Sequence, residues 1–293
     1  MWSNAATELE MKHRARRGVF CGTASALMLL LLGGVSTAQR PQLLKNVELC
    51  NGADRTSPDL QIDGCTALIK SGAQTPQSLI IAYNNRGNAY MAKGEYDRAV
   101  QDYDQSIKLN PNYARAFNNR GVAYQKKGEY DRAIEDFDES LKLNPNYANA
   151  FANRAQTYLN KGEYERAARD YDEAIRLKPT LGAVWSGRCW TRAITGELQA
   201  ALADCNEAIR LEPNVAATFD SRGLTYLKMG QWDSAIDDYS EALQFNPKLA
   251  SSLYGRGLAK LKKGDETGGN ADIAAAKEIE AKIVSDFARY GVQ

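Results

Sequence analysis

Residues 114–147 read ARAFNNRGVAYQKKGEYDRAIEDFDESLKLNPNY, and this pattern recurs every 34 residues. The recurring residues are Gly87, Gly121, Ala155, Cys189, Gly223 and Gly257, then Ala99, Ala133, Ala167, Ala201 and Ala235, then Pro111, Pro145, Pro179, Pro213 and Pro247. Six blocks follow from them, at 80–113, 114–147, 148–181, 182–215, 216–249 and 250–283. A period of this length predicts stacked copies of one supersecondary unit.

Each block predicts two amphipathic helices. Apolar and small residues recur at spacings of three and four in both halves of the block. In the second block, Phe117 and Tyr124 belong to the inner stripe of the first helix, and Phe137 to that of the second. Gly128 ends the first helix and Pro145 stops the second. We therefore expect helices at positions 2–14 and 15–28 of each block, and an all-α solenoid of antiparallel helix pairs.

Both ends of the repeat array depart from the pattern. In the sixth block, Thr267-Gly268-Gly269-Asn270 are poor helix formers, and Ala281 replaces the expected proline. The last helix is therefore expected to continue through Phe287, so that 278–293 form a capping helix over the exposed end. Residues 39–79 predict a degenerate, disulfide-closed helical hairpin that caps the first block.

Residues 1–38 have the form of a signal peptide. A basic segment precedes an apolar one at 19–35, and small residues stand just before Gln39. The basic residues are Lys12, Arg14, Arg16 and Arg17. Because the apolar stretch is short for a membrane span, we expect cleavage and a periplasmic or secreted protein. Two alternatives stay open: a leader retained as a membrane anchor, and translation from Met11 instead of Met1.

Composition argues against nucleic acid and against catalysis. The net charge is +1, and removal of the leader leaves 33 basic and 34 acidic residues, a net charge of −1. Binding to nucleic acid phosphates calls for an excess of basic side chains. The single histidine, His13, lies in the leader, and the chain carries no nucleophile motif, phosphate loop or metal-ligand spacing. We expect no enzyme, no cofactor, no metal and no small-molecule substrate.

Four cysteines follow the leader, to which Cys21 belongs: Cys50, Cys65, Cys189 and Cys205. Export implies an oxidising compartment, and four cysteines permit three pairings. Cys189 and Cys205 stand at positions 8 and 24, which face each other across the helix pair. The other blocks place Gly or Ala at position 8, and Tyr, Phe or Ile at position 24. We expect bridges Cys189–Cys205 and Cys50–Cys65; four reduced core cysteines are the alternative.

Position 7 is arginine and position 23 is aspartate in every block. The arginines are Arg86, Arg120, Arg154, Arg188, Arg222 and Arg256, and the aspartates are Asp102, Asp136, Asp170, Asp204, Asp238 and Asp272. Because these positions also fall near facing sites, we expect a ladder of bidentate ion pairs, within a block or between neighbours. An arginine row that binds an acidic ligand is the alternative.

The small residue, tyrosine, alanine, aromatic residue and proline at this period resemble the tetratricopeptide repeat family from 80 to 283. The leader, the paired cysteines and the NRG…GEYDRA style are similar to exported bacterial members. The resemblance implies a right-handed superhelix whose concave face is lined by the first helices. It also implies that extended peptides bind there through positions 2, 5, 6, 9, 12 and 13 of a block.

At these positions the first three blocks carry amide and basic side chains. The residues expected to contact a partner are Asn84, Asn85, Asn88, Arg115, Asn118, Asn119, Lys126, Asn149, Asn153 and Gln156. Because an amide offers a donor and an acceptor, a row of them can follow a peptide backbone without reading its sequence. A merely solvated face is the alternative. The lysines and arginine of the family's carboxylate clamp are not matched.

The last three blocks are apolar at the same positions. We call these residues the apolar face: Trp190, Ile194, Leu224, Leu227, Tyr254, Leu258 and Leu261. This half could receive apolar side chains or a partner's helix.

Repeats and leader together imply an exported protein–protein interaction scaffold, with a protein or peptide partner and a role in cell-envelope assembly. The alternative is a membrane-tethered structural spacer that self-associates through its terminal helices. The membrane would then be contacted only through an uncleaved leader.

Overall fold

The protein is seen in a computed structural model that describes residues 40–52, 56–72 and 75–292. The expected leader, residues 1–38, lies outside the described residues. Within those ranges the chain forms fifteen helices and no strands. They are α1 (Arg40–Cys50), α2 (Pro58–Lys70), α3 (Pro76–Ala92), α4 (Tyr96–Leu109), α5 (Ala114–Lys126), α6 (Tyr130–Leu143), α7 (Ala148–Lys161), α8 (Tyr164–Leu177), α9 (Gly182–Thr195), α10 (Leu198–Leu211), α11 (Ala216–Lys228), α12 (Trp232–Phe245), α13 (Ala250–Lys262), α14 (Glu266–Ile279) and α15 (Ile283–Arg289).

The described chain divides after Thr157 into two compact units, so α7 contributes to both. The first unit contains the packed pairs α1–α2, α3–α4 and α5–α6, and the second contains α9–α10, α11–α12 and α13–α14. Each pair also packs on the next pair of its unit, which is the arrangement of an all-α solenoid. Over the residues that the structure describes, no helix is long and apolar enough to cross a membrane.

The second helix of each block starts two residues later than predicted. In the second block α6 begins at Tyr130, which is position 17, and ends at Leu143, which is position 30. The predicted start at position 15 is wrong because Gly128 occupies it with a φ of 78°, a left-handed conformation that ends α5. Since the shift repeats with the glycine, the period of 34 is kept.

The first block's first helix begins earlier than position 2 because an N-cap lies upstream. The Thr75 side chain accepts a hydrogen bond from the Ser78 backbone N–H at 3.2 Å, and Pro76 opens α3. Both are favourable at a helix start. The helix therefore runs from Pro76 to Ala92.

An aromatic ring lies against a glycine at the centre of three helix pairs, α3–α4, α5–α6 and α11–α12. A Cβ added at Gly121 would lie 2.8 Å from Phe137 Cε1, and one at Gly87 would lie 2.6 Å from Tyr103 Cε1. Phe137 is 0% exposed and Tyr103 is 1% exposed. A larger residue at position 8 would force the two helices apart, and overpacking of this kind costs roughly 1–3 kcal/mol.

Both cysteine pairs lie at disulfide distance. Cys50 and Cys65 join α1 to α2 with an S–S distance of 2.04 Å, and Cys189 and Cys205 join α9 to α10 with one of 1.96 Å. All four side chains are buried. In the fourth block the covalent bond therefore occupies the place that the glycine–aromatic contact fills in the first, second and fifth blocks.

The position 7 arginines bond within their own block and to the preceding one. Arg120 Nε and Nη2 donate to Asp136 at 2.9 and 2.7 Å, while its Nη1 donates to Asp104 of the preceding block at 2.6 Å. The same bidentate geometry joins Arg86 to Asp102, Arg188 to Asp204, Arg222 to Asp238, and Arg256 to Asp272. Arg154 Nη1 likewise reaches back to Asp138 at 2.5 Å. Each such arginine ties together three helices.

The C-terminal helix differs from the prediction. The expected continuous helix through Phe287 is wrong: α14 ends at Ile279, and Glu280 adopts an extended conformation with φ −141° and ψ 101°. A separate helix, α15, starts at Ile283. The weak helix formers at 267–270 are nonetheless helical, because the Asp265 side chain caps α14 by accepting from the Gly268 N–H at 2.9 Å.

Asp136→Asn should destabilise the protein by about 2–4 kcal/mol. Among the described residues, the exposed Asp104 is then the one carboxylate left in contact with the largely buried Arg120 guanidinium. Urea unfolding followed by circular dichroism measures the change. Glu139→Gln is the matched control, since Glu139 pairs with Lys142 on the surface at 3.0 Å and should show no measurable change. Equal unfolding midpoints for the two variants would contradict a structural role for the ladder.

Replacing Cys189 and Cys205 by alanine should destabilise the oxidised protein by roughly 3 kcal/mol, through lost loop closure alone. The double variant Cys189→Gly/Cys205→Phe copies the contact of the second block and should recover part of that loss. Thermal unfolding with and without reductant gives both values. Reductant should lower the melting temperature of the wild type more than that of the glycine–phenylalanine variant. A larger decrease for the variant would contradict the view that the disulfide replaces the glycine–aromatic contact.

Candidate peptide-binding face

Asparagines on the first helices of the first unit form a connected row, which we call the amide face. Its members are Asn84, Asn85, Asn88, Asn118, Asn119 and Asn153. Asn119 Nδ2 donates to Asn84 Oδ1 and Asn88 Oδ1, both at 3.0 Å. Asn153 Nδ2 donates to Asn118 Oδ1 at 2.9 Å. The row therefore crosses from α3 to α5 to α7, and it links consecutive repeats through side-chain amides alone.

Two members of the predicted site are buried. Asn84 is 1% exposed and Asn118 is 5% exposed. Their Oδ1 atoms accept from the asparagine of the next repeat, and Asn118 Nδ2 donates to Asn119 Oδ1 at 3.1 Å. Their predicted contact with a partner is corrected accordingly: position 5 faces the neighbouring helix, so these amides hold the row together.

Other members present polar atoms at the surface. Asn88 is exposed, and its Oδ1 accepts from the Tyr103 hydroxyl at 2.8 Å. Within the described residues its Nδ2 makes no hydrogen bond, which leaves two N–H donors for a ligand. Asn85 on α3, Asn119 on α5 and Asn153 on α7 are half-buried.

The remaining predicted residues flank this row. Arg115 is exposed, and Lys126, Asn149 and Gln156 are partly exposed on α5 and α7. The sequence prediction missed how Gln125 is used. It is buried, and its Nε2 donates to Thr157 Oγ1 at 2.8 Å, so it adds a second amide link between α5 and α7.

The apolar face of the second unit is partly covered by the chain's own C-terminus. The Phe287 ring lies 4.8 Å from the Tyr254 ring, and the Tyr290 ring lies 5.0 Å from the Trp190 ring, both edge to face. Lys228 Nζ donates to the Tyr290 carbonyl at 2.8 Å. The place predicted for a partner's apolar side chains therefore holds α15.

A buried carboxylate lies among the first helices of the second unit. Asp220 is 1% exposed, and it accepts hydrogen bonds from Ser252 Oγ at 2.5 Å and Ser251 Oγ at 3.0 Å. Burial raises the pKa of Asp220 to about 6. The sequence carries a signal for this carboxylate: Asp220 stands at position 5 of its block, where the first two blocks carry Asn84 and Asn118.

Comparison with known proteins agrees with the repeat register. A family described as tetratricopeptide repeat matches 114–147 and 148–181, which are two of the predicted blocks. A second family, described as TPR repeat, matches 87–128 and 223–264. The chain is a tetratricopeptide repeat protein. Repeats of this kind support a protein–protein interaction scaffold as the class of function. No curated protein matches the chain in sequence.

Solved structures with the same fold include other tetratricopeptide repeat proteins. One from Parabacteroides merdae aligns with a TM-score of 0.63 at 18% identity, over 87% of this chain and 99% of its own. PilW, a widely conserved type IV pilus biogenesis factor, aligns at 0.60 and 20% identity, over 72% and 94%. YrrB, described as having an unusual peptide-binding site, aligns at 0.50 and 18% identity, over 66% and 100%. These similarities show the shared fold.

Asp220→Asn should make this tetratricopeptide repeat protein more stable at neutral pH. The pKa of Asp220 is raised from 3.8 to about 6 in the folded state. Between these two pH values the folded protein keeps the proton that the unfolded chain has lost, and above them the folded protein holds a buried charge. The contribution of protonated Asp220 to the free energy of unfolding is therefore fully present below pH 3.8. It is lost as the pH rises through about 6, which lowers the free energy of unfolding by roughly 3 kcal/mol. Urea unfolding of both proteins between pH 4 and pH 8 measures this. The stability of the variant relative to the wild type should increase from pH 4 to pH 8. A difference in stability that does not change with pH would contradict a raised pKa of Asp220.

Proposed function

We propose that this tetratricopeptide repeat protein is an exported scaffold that holds a protein or peptide partner, in extended conformation, against the amide face. The observation that carries the proposal is the row of side-chain amides that crosses three successive first helices with donors left at the surface. The partly exposed members of the row are Asn85, Asn88, Asn119 and Asn153.

The spacing of the row suits an extended backbone. Packed helices lie about 8–10 Å apart. An extended chain advances about 3.3 Å per residue, so one repeat spans about three ligand residues. Each repeat can then offer amide groups to one backbone N–H or C=O of the ligand. Because the amides are already held by one another, little side-chain entropy is lost when a ligand binds.

Export and an envelope role rest on separate support. Residues 1–38 have the composition of a signal peptide, and the two cysteine pairs at bonding distance suit an oxidising compartment. PilW is described as a pilus biogenesis factor and YrrB as a peptide-binding protein. Those descriptions motivate a peptide ligand and a place in envelope assembly for this chain.

Selection of displayed random peptides that bind the protein tests the proposal. The protein is taken from the exported fraction, and N-terminal sequencing should find Gln39 as its first residue. The double variant Asn88→Ala/Asn119→Ala should weaken the selected peptides at least tenfold, because each lost hydrogen-bonding side chain is worth about 1 kcal/mol. Fluorescence anisotropy of labelled peptides gives the affinities.

The matched control is Asn112→Ala/Asn146→Ala. Both asparagines are exposed and lie in the turns after α4 and α6, away from the first helices. Their removal should leave affinity unchanged. Peptides that bind the amide-face variant as tightly as the wild type would refute binding at the amide face. Exported protein that still carries residues 1–38 would favour the membrane-tethered alternative.

A further inference from the structure

The segment α15 lies where a ligand of the second unit would lie. Trp190, Lys228 and Tyr254 stand at positions 9, 13 and 5 of their blocks. They contact, in that order, the Tyr290 ring, the Tyr290 carbonyl and the Phe287 ring. These three residues come from three successive first helices, α9, α11 and α13. The helix α15 itself packs on α13 and α14, as a further repeat helix would. Tyr290, which directly follows α15, also contacts α9 and α11, so the end of this segment lies on the apolar face as a bound ligand would.

The anchors of α15 occupy one side of it. Ile283 is 3% exposed, Phe287 is 1% exposed and Tyr290 is half-buried. Their spacing of four and then three residues places them on a single helical face. Val284, about 100° around the helix from Ile283, is 42% exposed. An amphipathic helix with apolar anchors at this spacing is a common way to fill a groove between helices.

Lys228 sets the direction in which such a helix lies. Its ammonium group donates to the carbonyls of Ala193 at 2.7 Å, Ile194 at 3.0 Å and Tyr290 at 2.8 Å. The first two carbonyls lie at the C-terminal end of α9, and the third follows the end of α15. The last carbonyls of a helix lack partners within the helix and carry partial negative charge. The lysine therefore favours a ligand whose C-terminal end meets it.

The docked segment is poorly able to hold its own shape. It has seven residues, whereas an isolated helix needs about 12–15 residues to be even marginally stable in water. The extended residue Glu280 separates it from α14. It is therefore helical because it is docked, and the covalent tether keeps it near the face. A longer helix with the same anchors would make the same contacts and add others.

We propose that the last three repeats form a helix-binding site and that α15 is its built-in occupant. The partner is an amphipathic helix with an aliphatic residue followed by aromatic residues four and seven positions later, and it displaces α15 on binding. This inference rests on the scaffold function but not on the amide face. A finding that no peptide binds at the amide face would therefore not contradict the helix-binding site.

The test uses the full chain and a fluorescein-labelled peptide of residues 280–293. Wild-type protein should bind the peptide weakly, because the tethered copy competes at high effective concentration. The variant Phe287→Ala/Tyr290→Ala loses the competing anchors and should bind the peptide at least tenfold more tightly. Adding Trp190→Ala to that variant should return the affinity to the wild-type level or below. Val284→Ala, on the exposed side of α15, is the matched control and should behave as the wild type.

Hydrogen exchange on the unaltered chain provides a second measurement, should the variants unfold. Backbone amides of α15 should exchange at least 100-fold faster than those of α13, and excess unlabelled peptide should speed the exchange of α15 further. Equal exchange of α15 and α13, or a peptide that binds none of the proteins, would overturn the proposal. A wild-type dimer that the peptide dissociates would also overturn it, in favour of a second copy of this chain as the occupant.

Discussion

The fold depends on the guanidinium group at position 7. In Arg120 it makes two bonds to the second helix of its own pair and a third to the second helix of the preceding pair. Taking such a charge out of water costs several kcal/mol unless it is paired. The three bonds need the rotation and stagger that these three helices have. Within each unit the register between repeats is thus set by geometry as well as by apolar burial. The amide face needs that register, because a shift of one residue would separate Asn119 from Asn84.

Features that repeat with the block were predictable from the sequence. The facing of positions 8 and 24 follows from two antiparallel helices and a glycine turn. It predicts that Cys189 lies opposite Cys205, and the structure confirms this. The position 7 and 23 partners follow from the same relation. The sequence left open whether the arginine bonds within a block or between blocks, and the structure shows both. A three-nitrogen fork can serve two partners, which a pairwise pattern does not reveal.

Features that depend on helix rotation or on the end of the array were not predictable. Positions 5 and 6 are about 100° apart on a helix, so a small rotation decides which asparagine faces the neighbour and which faces water. The sequence therefore predicts that Asn84 and Asn118 face a partner, whereas the structure shows both buried against the neighbouring helix. The break after Ile279 has no strong local signal, since neither proline nor glycine stands there. It is compensated by tertiary contacts of Phe287 and Tyr290, which lie far away in sequence from Tyr254 and Trp190.

The disulfides also have a mechanical meaning. Pulled from its two ends, a solenoid lengthens as helix pairs peel away and their residues become extended. The residues between Cys189 and Cys205 cannot contribute, because the covalent bond carries the load past them. At about 3.5 Å per extended residue, each such loop removes roughly 50 Å of available length. The hairpin closed by Cys50 and Cys65 shortens the N-terminal end in the same way, so the fully unravelled chain would be about 100 Å shorter than its length in residues implies.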